Sequence, residues 1–196
     1  MVKIDSLLLL IQINYIKEKE MKKAILLVVA LLFAVGVAFT GDGAHKFVGT
    51  KKCKMCHQKA KKGEIFEKWA ASAHAKAYHT LGEAAAKEIY TKLGKEGNPQ
   101  EDPACLKCHV AGYGLDSTLT VKVVKENGVT CESCHGAGGD YWKKSVMVDH
   151  DASVAAGMVA DPKAGCVKCH NEEAPTFKGF DFEERWKEIK HAKPAG

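Results

Sequence analysis

The chain has 196 residues, 46% of them hydrophobic and 27% charged, with eight Cys and nine His. That balance excludes a disordered chain and an all-membrane protein, while 8% aromatics make only a modest conventional core. A formal charge of +5 does not point to nucleic acid, because Arg185 is the single Arg among 29 basic residues and phosphate and base readout favour Arg.

Met21-Lys22-Lys23 opens an uncharged run from Ala24 to Gly41 rich in Leu, Val and Ala, the pattern of a secretory signal peptide. Small residues at Gly36 and Ala38 place the expected cleavage after residue 38, and Met21 is the expected translation start because residues 1–20 precede a complete signal. An uncleaved membrane anchor is the alternative. Either way residues 45–196 are expected outside the cytoplasm, in the periplasm or, alternatively, the extracellular space. Contact with the membrane is expected only through the signal segment or peripherally.

Further along, Gly63 precedes an expected helix from Glu64 to Leu81 carrying Ile65, Phe66, Trp69, Ala73 and Ala77, and a second is expected from Glu83 to Leu93. Gly94 to Pro103 reads as a polar loop. Leu119, Val121 and Val123 alternate up to Asn127-Gly128, which predicts a short strand or a minor β hairpin. Asp151 to Val159 and Phe182 to Ala192 are expected helices, the second amphipathic. No Ser- or Pro-rich linker divides residues 39–196, so a single, mainly α domain is expected there.

The eight thiols follow one pattern: Cys53-Lys-Met-Cys56-His57, Cys105-Leu-Lys-Cys108-His109, Cys131-Glu-Ser-Cys134-His135 and Cys166-Val-Lys-Cys169-His170, with no Cys left over. C-x-x-C-H is the attachment pattern of c-type heme, in which both thiols add across the vinyl groups and the adjacent imidazole becomes the proximal iron ligand. One turn of helix sets both sulfurs on one porphyrin edge and swings the His under the iron. Zinc needs only the Cys pairs and leaves the four His unexplained. Four c-type hemes (heme C, with iron) are therefore expected. The sites begin at residues 53, 105, 131 and 166, so no fixed repeat spaces them. Residues 39–196 hold 24 basic and 21 acidic side chains. Eight propionates and four ferric cores bring the oxidised holoprotein to about −1 and the reduced one to about −5, so the basicity mostly compensates cofactor carboxylates. The hemes are expected to be the core, with Trp69, Trp142 and Trp186 packing on them. The Lys-Lys pairs at 51–52, 61–62 and 143–144 read as solvated faces or propionate partners, or as a surface that steers an acidic partner.

A proximal His leaves the sixth iron position open. His45, His74, His79, His150 and His191 remain, and five spare imidazoles for four irons favour bis-His sites of low potential over ligation by Met147 or Met158.

Three stretches carry a family resemblance: Phe66-x-x-Trp69-x-x-Ser72-x-His74-Ala75-x-Ala77, Cys105-Leu-Lys-Cys108-His109-Val110-Ala-Gly112-Tyr-Gly114 and Gly128-Val-Thr-Cys131-Glu-Ser-Cys134-His135-Gly136. In order, spacing and flanks, over about residues 47–192, the chain resembles the tetraheme cytochrome c-554 family. The resemblance implies a compact, mainly α multiheme cytochrome c, with short helices and loops around hemes stacked in close pairs. It also implies distal ligands: His150 opposite His57, His191 opposite His135, and His74 opposite His170. For the second heme, on His109, it implies a five-coordinate iron open to small ligands. The two unused imidazoles, His79 and His45, argue for closure, and His45 also resembles arm residues of extracellular tetraheme filaments.

Three functions follow from these readings. The first is electron transfer between redox-partner proteins outside the cytoplasm. The second is an extracellular filament, a homo-oligomer in which His45 or His79 closes an iron across an interface. The third is an enzyme that reduces nitric oxide or another small nitrogen compound at an open heme 2. An enzyme needs an acid–base set, and the sequence displays none: surface solvation accounts for Asp102, Glu132 and Tyr113, so no catalytic residue is assigned.

Overall fold

The computed structural model describes residues 44–191. The signal peptide over 1–38 and the start at Met21 lie outside the described residues. Among the described residues ten short helices follow one another and no strand occurs. The helices are α1 (Thr50–His57), α2 (Ile65–Ala71), α3 (Ala77–Thr80), α4 (Ala84–Lys92), α5 (Pro103–His109), α6 (Cys131–His135), α7 (Lys144–Met147), α8 (His150–Ala155), α9 (Lys163–Cys166) and α10 (Phe182–Ile189), with 3₁₀ turns at Ala60–Lys62 and Lys125–Asn127. None is long and apolar enough to cross a membrane.

Local chemistry sets several of the boundaries. Asp102 accepts from Ala104 N at 2.7 Å with Pro103 opening α5. Asp149 and Asp181 cap α8 and α10 by accepting from Ala152 N and Glu184 N, each at 3.0 Å. These side chains satisfy amide donors that a helix start leaves orphaned.

Two expectations are corrected. The helix expected over 64–81 is broken at Ser72, whose backbone is extended (φ −75°, ψ 161°). Ser72 Oγ donates to Trp69 O at 2.6 Å and accepts from Ala75 N at 3.4 Å, which offers the backbone an alternative to helix and places His74 in the connection between α2 and α3. The strand or hairpin expected over 119–128 is a chain of turns instead. Val123 N donates to Thr120 O and Asn127 N to Val124 O, closing tight turns. Phe47 N takes Leu119 O without extending into a ladder. Val121 and Val124 face solvent while Val123 packs inward, so the apolar alternation lines no sheet.

The helices meet in small groups. α3 packs on α5 and on the Lys125–Asn127 turn, α1 on α2, and α7 on α8, while α6 touches both α1 and α9. Tyr78, Leu81, Leu106 and Val110 form the buried cluster, joined by Cys105 and Val123. It lies beside the second C-x-x-C-H helix. Few other large apolar side chains of the described residues are buried, chiefly Phe47 and Tyr141.

Candidate heme sites

Each C-x-x-C-H motif sits on a single helical turn or at the end of one. The first closes α1, the second closes α5, and the third is α6 itself. The fourth begins at the end of α9 and continues as turns, with Cys169 N and His170 N both donating to Cys166 O (3.2 and 2.9 Å). None of the eight Cys forms a disulfide.

Tertiary packing brings these sites together two by two. The thiols of Cys53 and Cys131 are hydrogen-bonded, which pushes Cys53 far up, aided by burial, and pulls Cys131 down. Cys169, raised to about 11 by burial first, also meets Cys108. An ion pair between Lys107 and Glu173 ties the second and fourth sites again. Cys134 is raised by burial first and then by Cys166, so the third site also adjoins the fourth, in keeping with the contact between α6 and α9. Sites 1, 3, 4 and 2 thus follow one another in space. In a heme-bearing chain these sulfurs are thioethers and do not titrate; what carries over is their proximity.

Imidazoles far apart in sequence pair within the chain. His74 and His170 lie edge-on with ring centroids 6.0 Å apart and planes at 73°, and His135 and His191 lie 5.9 Å apart at 56°. Two imidazoles that each reach one metal over about 2 Å need about 6 Å between centroids, so each pair is spaced for one iron. Burial lowers the pKa of His74, His135 and His170, the neighbouring imidazoles adding to it for the first two and Arg185 for the third. The neutral ring is the form that ligates.

Backbone carbonyls and aromatic rings orient these side chains. His109 Nδ1 meets Ala77 O at 2.6 Å, which leaves its other ring nitrogen for iron. Phe180 stacks on His170 with centroids 4.6 Å apart. Tyr141 donates its hydroxyl to Gly136 O at 2.6 Å and lies 3.1 Å from His135 O. His74 is held through its carbonyl, which accepts from Val129 N at 2.9 Å. Trp69 Nε1 donates to Val129 O, also at 2.9 Å. Gly128 makes this approach feasible: its φ is +64°, and a Cβ there would stand 2.6 Å from His74 O.

The remaining His have other surroundings. His57 is half-buried at the end of α1, close enough to affect His135. His150 is exposed at the start of α8, with Nδ1 3.3 Å from Asp151 Oδ1. His79 is exposed on α3, edge-on to Tyr78. His45 is half-buried; its Nδ1 meets Asp140 Oδ2 at 2.6 Å and its Nε2 faces Gly157, where a Cβ would approach it to 2.4 Å.

Three acidic or phenolic side chains expected at the surface divide. Tyr113 is exposed. Asp102 caps α5 and pairs with Lys95 Nζ at 2.6 Å, and its carboxyl is held down to about 2 by the Lys95 ammonium, the Ala104 amide and the Tyr90 hydroxyl. Glu132 is buried, contrary to expectation, because residues far away in the chain fold over it. No local sequence signal marks it, since its partners at 48 and 49 are brought in by the fold and join Gly138, six residues on.

The donor set fits heme. Among the described residues no three His, Cys, Asp or Glu side chains converge as a metal cage, whereas imidazoles meet in twos and thiol pairs precede proximal His. The small apolar core fits a fold whose interior is completed by porphyrin.

A family model described as "Cytochrome c554 and c-prime" matches residues 52–136. Cytochrome c-554 of Nitrosomonas europaea is 33% identical over 165 residues, covering 81% of this chain; the chain spans 63% of that relative's length. The solved reduced state of cytochrome c554 from Nitrosomonas europaea superposes with a TM-score of 0.55 at 26% identity, over 77% of this chain and 86% of that one. By motif, sequence and mainly helical fold, the chain resembles the tetraheme cytochrome c-554 family, whose members carry four c-type hemes.

Proposed function

We propose that the protein carries single electrons between redox-partner proteins outside the cytoplasm, through four covalently attached hemes. The observation that carries this reading is the two imidazole contacts between residues distant in the sequence, His74 with His170 and His135 with His191. Bound there, heme supplies one-electron exchange between ferric and ferrous iron. Two imidazoles on one iron leave no position for a substrate, so these residues favour electron transfer over bond-making chemistry. Cys53, Cys56, Cys105, Cys108, Cys131, Cys134, Cys166 and Cys169 would anchor the cofactors, with His57, His109, His135 and His170 as proximal ligands. The spatial order 1, 3, 4, 2 supports a continuous path, with ends at sites 1 and 2. The secretory run over 21–41 and the attachment chemistry support a periplasmic location.

The test is stopped-flow spectroscopy of the heme-loaded protein, reduced with dithionite and mixed with ferric horse-heart cytochrome c. A carrier delivers four electrons per chain and stops. In a parallel assay with nitric oxide or hydroxylamine and an electrode as continuing electron source, sustained turnover of either compound would overturn the carrier reading.

A further inference from the structure

Glu132 is 4% exposed, deep enough that an ionisable side chain there needs a reason. Its Oε1 accepts from Val48 N at 2.9 Å and Gly138 N at 2.7 Å, and its Oε2 accepts from Gly49 N at 2.8 Å. Three donors converge on a group that makes no donation of its own, which is the bonding of an ionised carboxylate, since a protonated acid must donate. Among the described residues no Lys or Arg pairs with it; its charge is met by backbone dipoles.

Its position is between two of the heme sites. Glu132 follows Cys131 directly on α6. Gly49, whose N–H it binds, leads into α1 and offers its carbonyl to Cys53 Sγ at 3.9 Å. Cys53 and Cys131 are themselves in contact, and both feel Glu132, as does the buried Tyr141 that steadies the His135 carbonyl. One buried negative charge therefore stands beside the attachment points of the first and third hemes, while the second motif closes α5 and the fourth runs from the end of α9 into turns.

We propose that Glu132 is a potential-setting residue: a fixed carboxylate, clamped by the amides of Val48, Gly49 and Gly138, that lowers the reduction potentials of the hemes carried by Cys53–His57 and Cys131–His135 relative to the same chain without it. This rests on the heme-carrier reading above. The physical basis is simple. A ferric porphyrin core carries one more positive charge than a ferrous one, so a nearby buried anion stabilises the oxidised state, and low local dielectric keeps the effect from being screened. The protein needs no further charged group to act, because the carboxylate is preorganised by backbone that also docks the N-terminal segment onto α6.

The experiment is a potentiometric titration of the heme-loaded protein, followed by EPR and visible absorption, for wild type, Glu132→Gln and Glu132→Asp. In Glu132→Gln two of the four hemes are expected to shift to higher potential while the other two stay; in Glu132→Asp, which retains the charge, all four are expected near wild type. Unchanged potentials in Glu132→Gln would overturn the proposal, as would an equal shift of all four hemes. Should Glu132→Gln fail to take up heme, Glu132→Asn and Glu132→Asp have the same shortened reach and differ only in charge, so a two-heme shift between them supports the proposal. If only carboxylate-bearing variants assemble, Glu132 is an assembly clamp and the potential-setting role fails. A wild type that binds no heme would instead sink the carrier reading itself.

Discussion

His74 and His170 come from opposite parts of the chain, the first in the break between α2 and α3 and the second in the turns after α9, yet their ring centroids lie 6.0 Å apart. Helical periodicity does not bring them together. Ser72 interrupts the helix, and the His74 carbonyl is tied to Val129 just before the third heme motif. The position of His74 is thus set by contacts with the segment that introduces a different heme site.

His74→Ala should convert one low-spin iron to high spin and open it to carbon monoxide. Low-temperature EPR of the oxidised protein and carbon monoxide difference spectra of the reduced one provide the measurement. An unchanged low-spin content would remove His74 from the ligand set.

Gly128→Ala should do part of the same damage from a distance. A Cβ at φ +64° meets His74 O at 2.6 Å, so either the 128–129 backbone or the His74 connection must move. The expected cost is above about 1 kcal/mol, the usual scale for a non-Gly residue forced into an incompatible backbone conformation. Thermal melting should fall, and a high-spin fraction should appear beside native low-spin signal.

Asp102 gives the second site a dependence on acid. Its carboxyl is held at about 2 in the fold, chiefly by Lys95. A depressed folded value stabilises the native state above the ordinary carboxylate range, and that stabilisation fades as pH falls from about 4 toward 2. Asp102→Asn should therefore melt at lower temperature than wild type at neutral pH, and the two melting curves should converge in this acid window. A constant difference down to pH 2 would assign the effect to helix capping geometry alone.

Closure of the iron on His109 separates the three functional readings. If His45 or His79 supplies its sixth ligand, replacing that residue should open one iron. A ligand from a neighbouring copy would also make the high-spin signal grow on dilution, because an interface ligand is lost by mass action. Rapid nitric oxide binding by ferrous wild type, unchanged by replacing both residues, would establish an open site.

The four C-x-x-C-H motifs determine by themselves how many hemes the chain attaches and which His follows each thiol pair, because that chemistry is set by neighbours along the backbone. Two helices were legible for the same local reason: Glu83–Leu93 contains α4 and Phe182–Ala192 contains α10. Tertiary structure decided what depends on distant partners. The apolar alternation at 119–123 forms turns because no second strand pairs with it. The order of the sites in space arises from contacts of α6 with α1 and α9, which sequence intervals do not encode. Glu132 looks like any surface acid in Cys-Glu-Ser-Cys, and becomes a buried anion only when Val48, Gly49 and Gly138 close over it, since the Val48-Gly49 segment, more than eighty residues away, meets the carboxylate only in the folded chain.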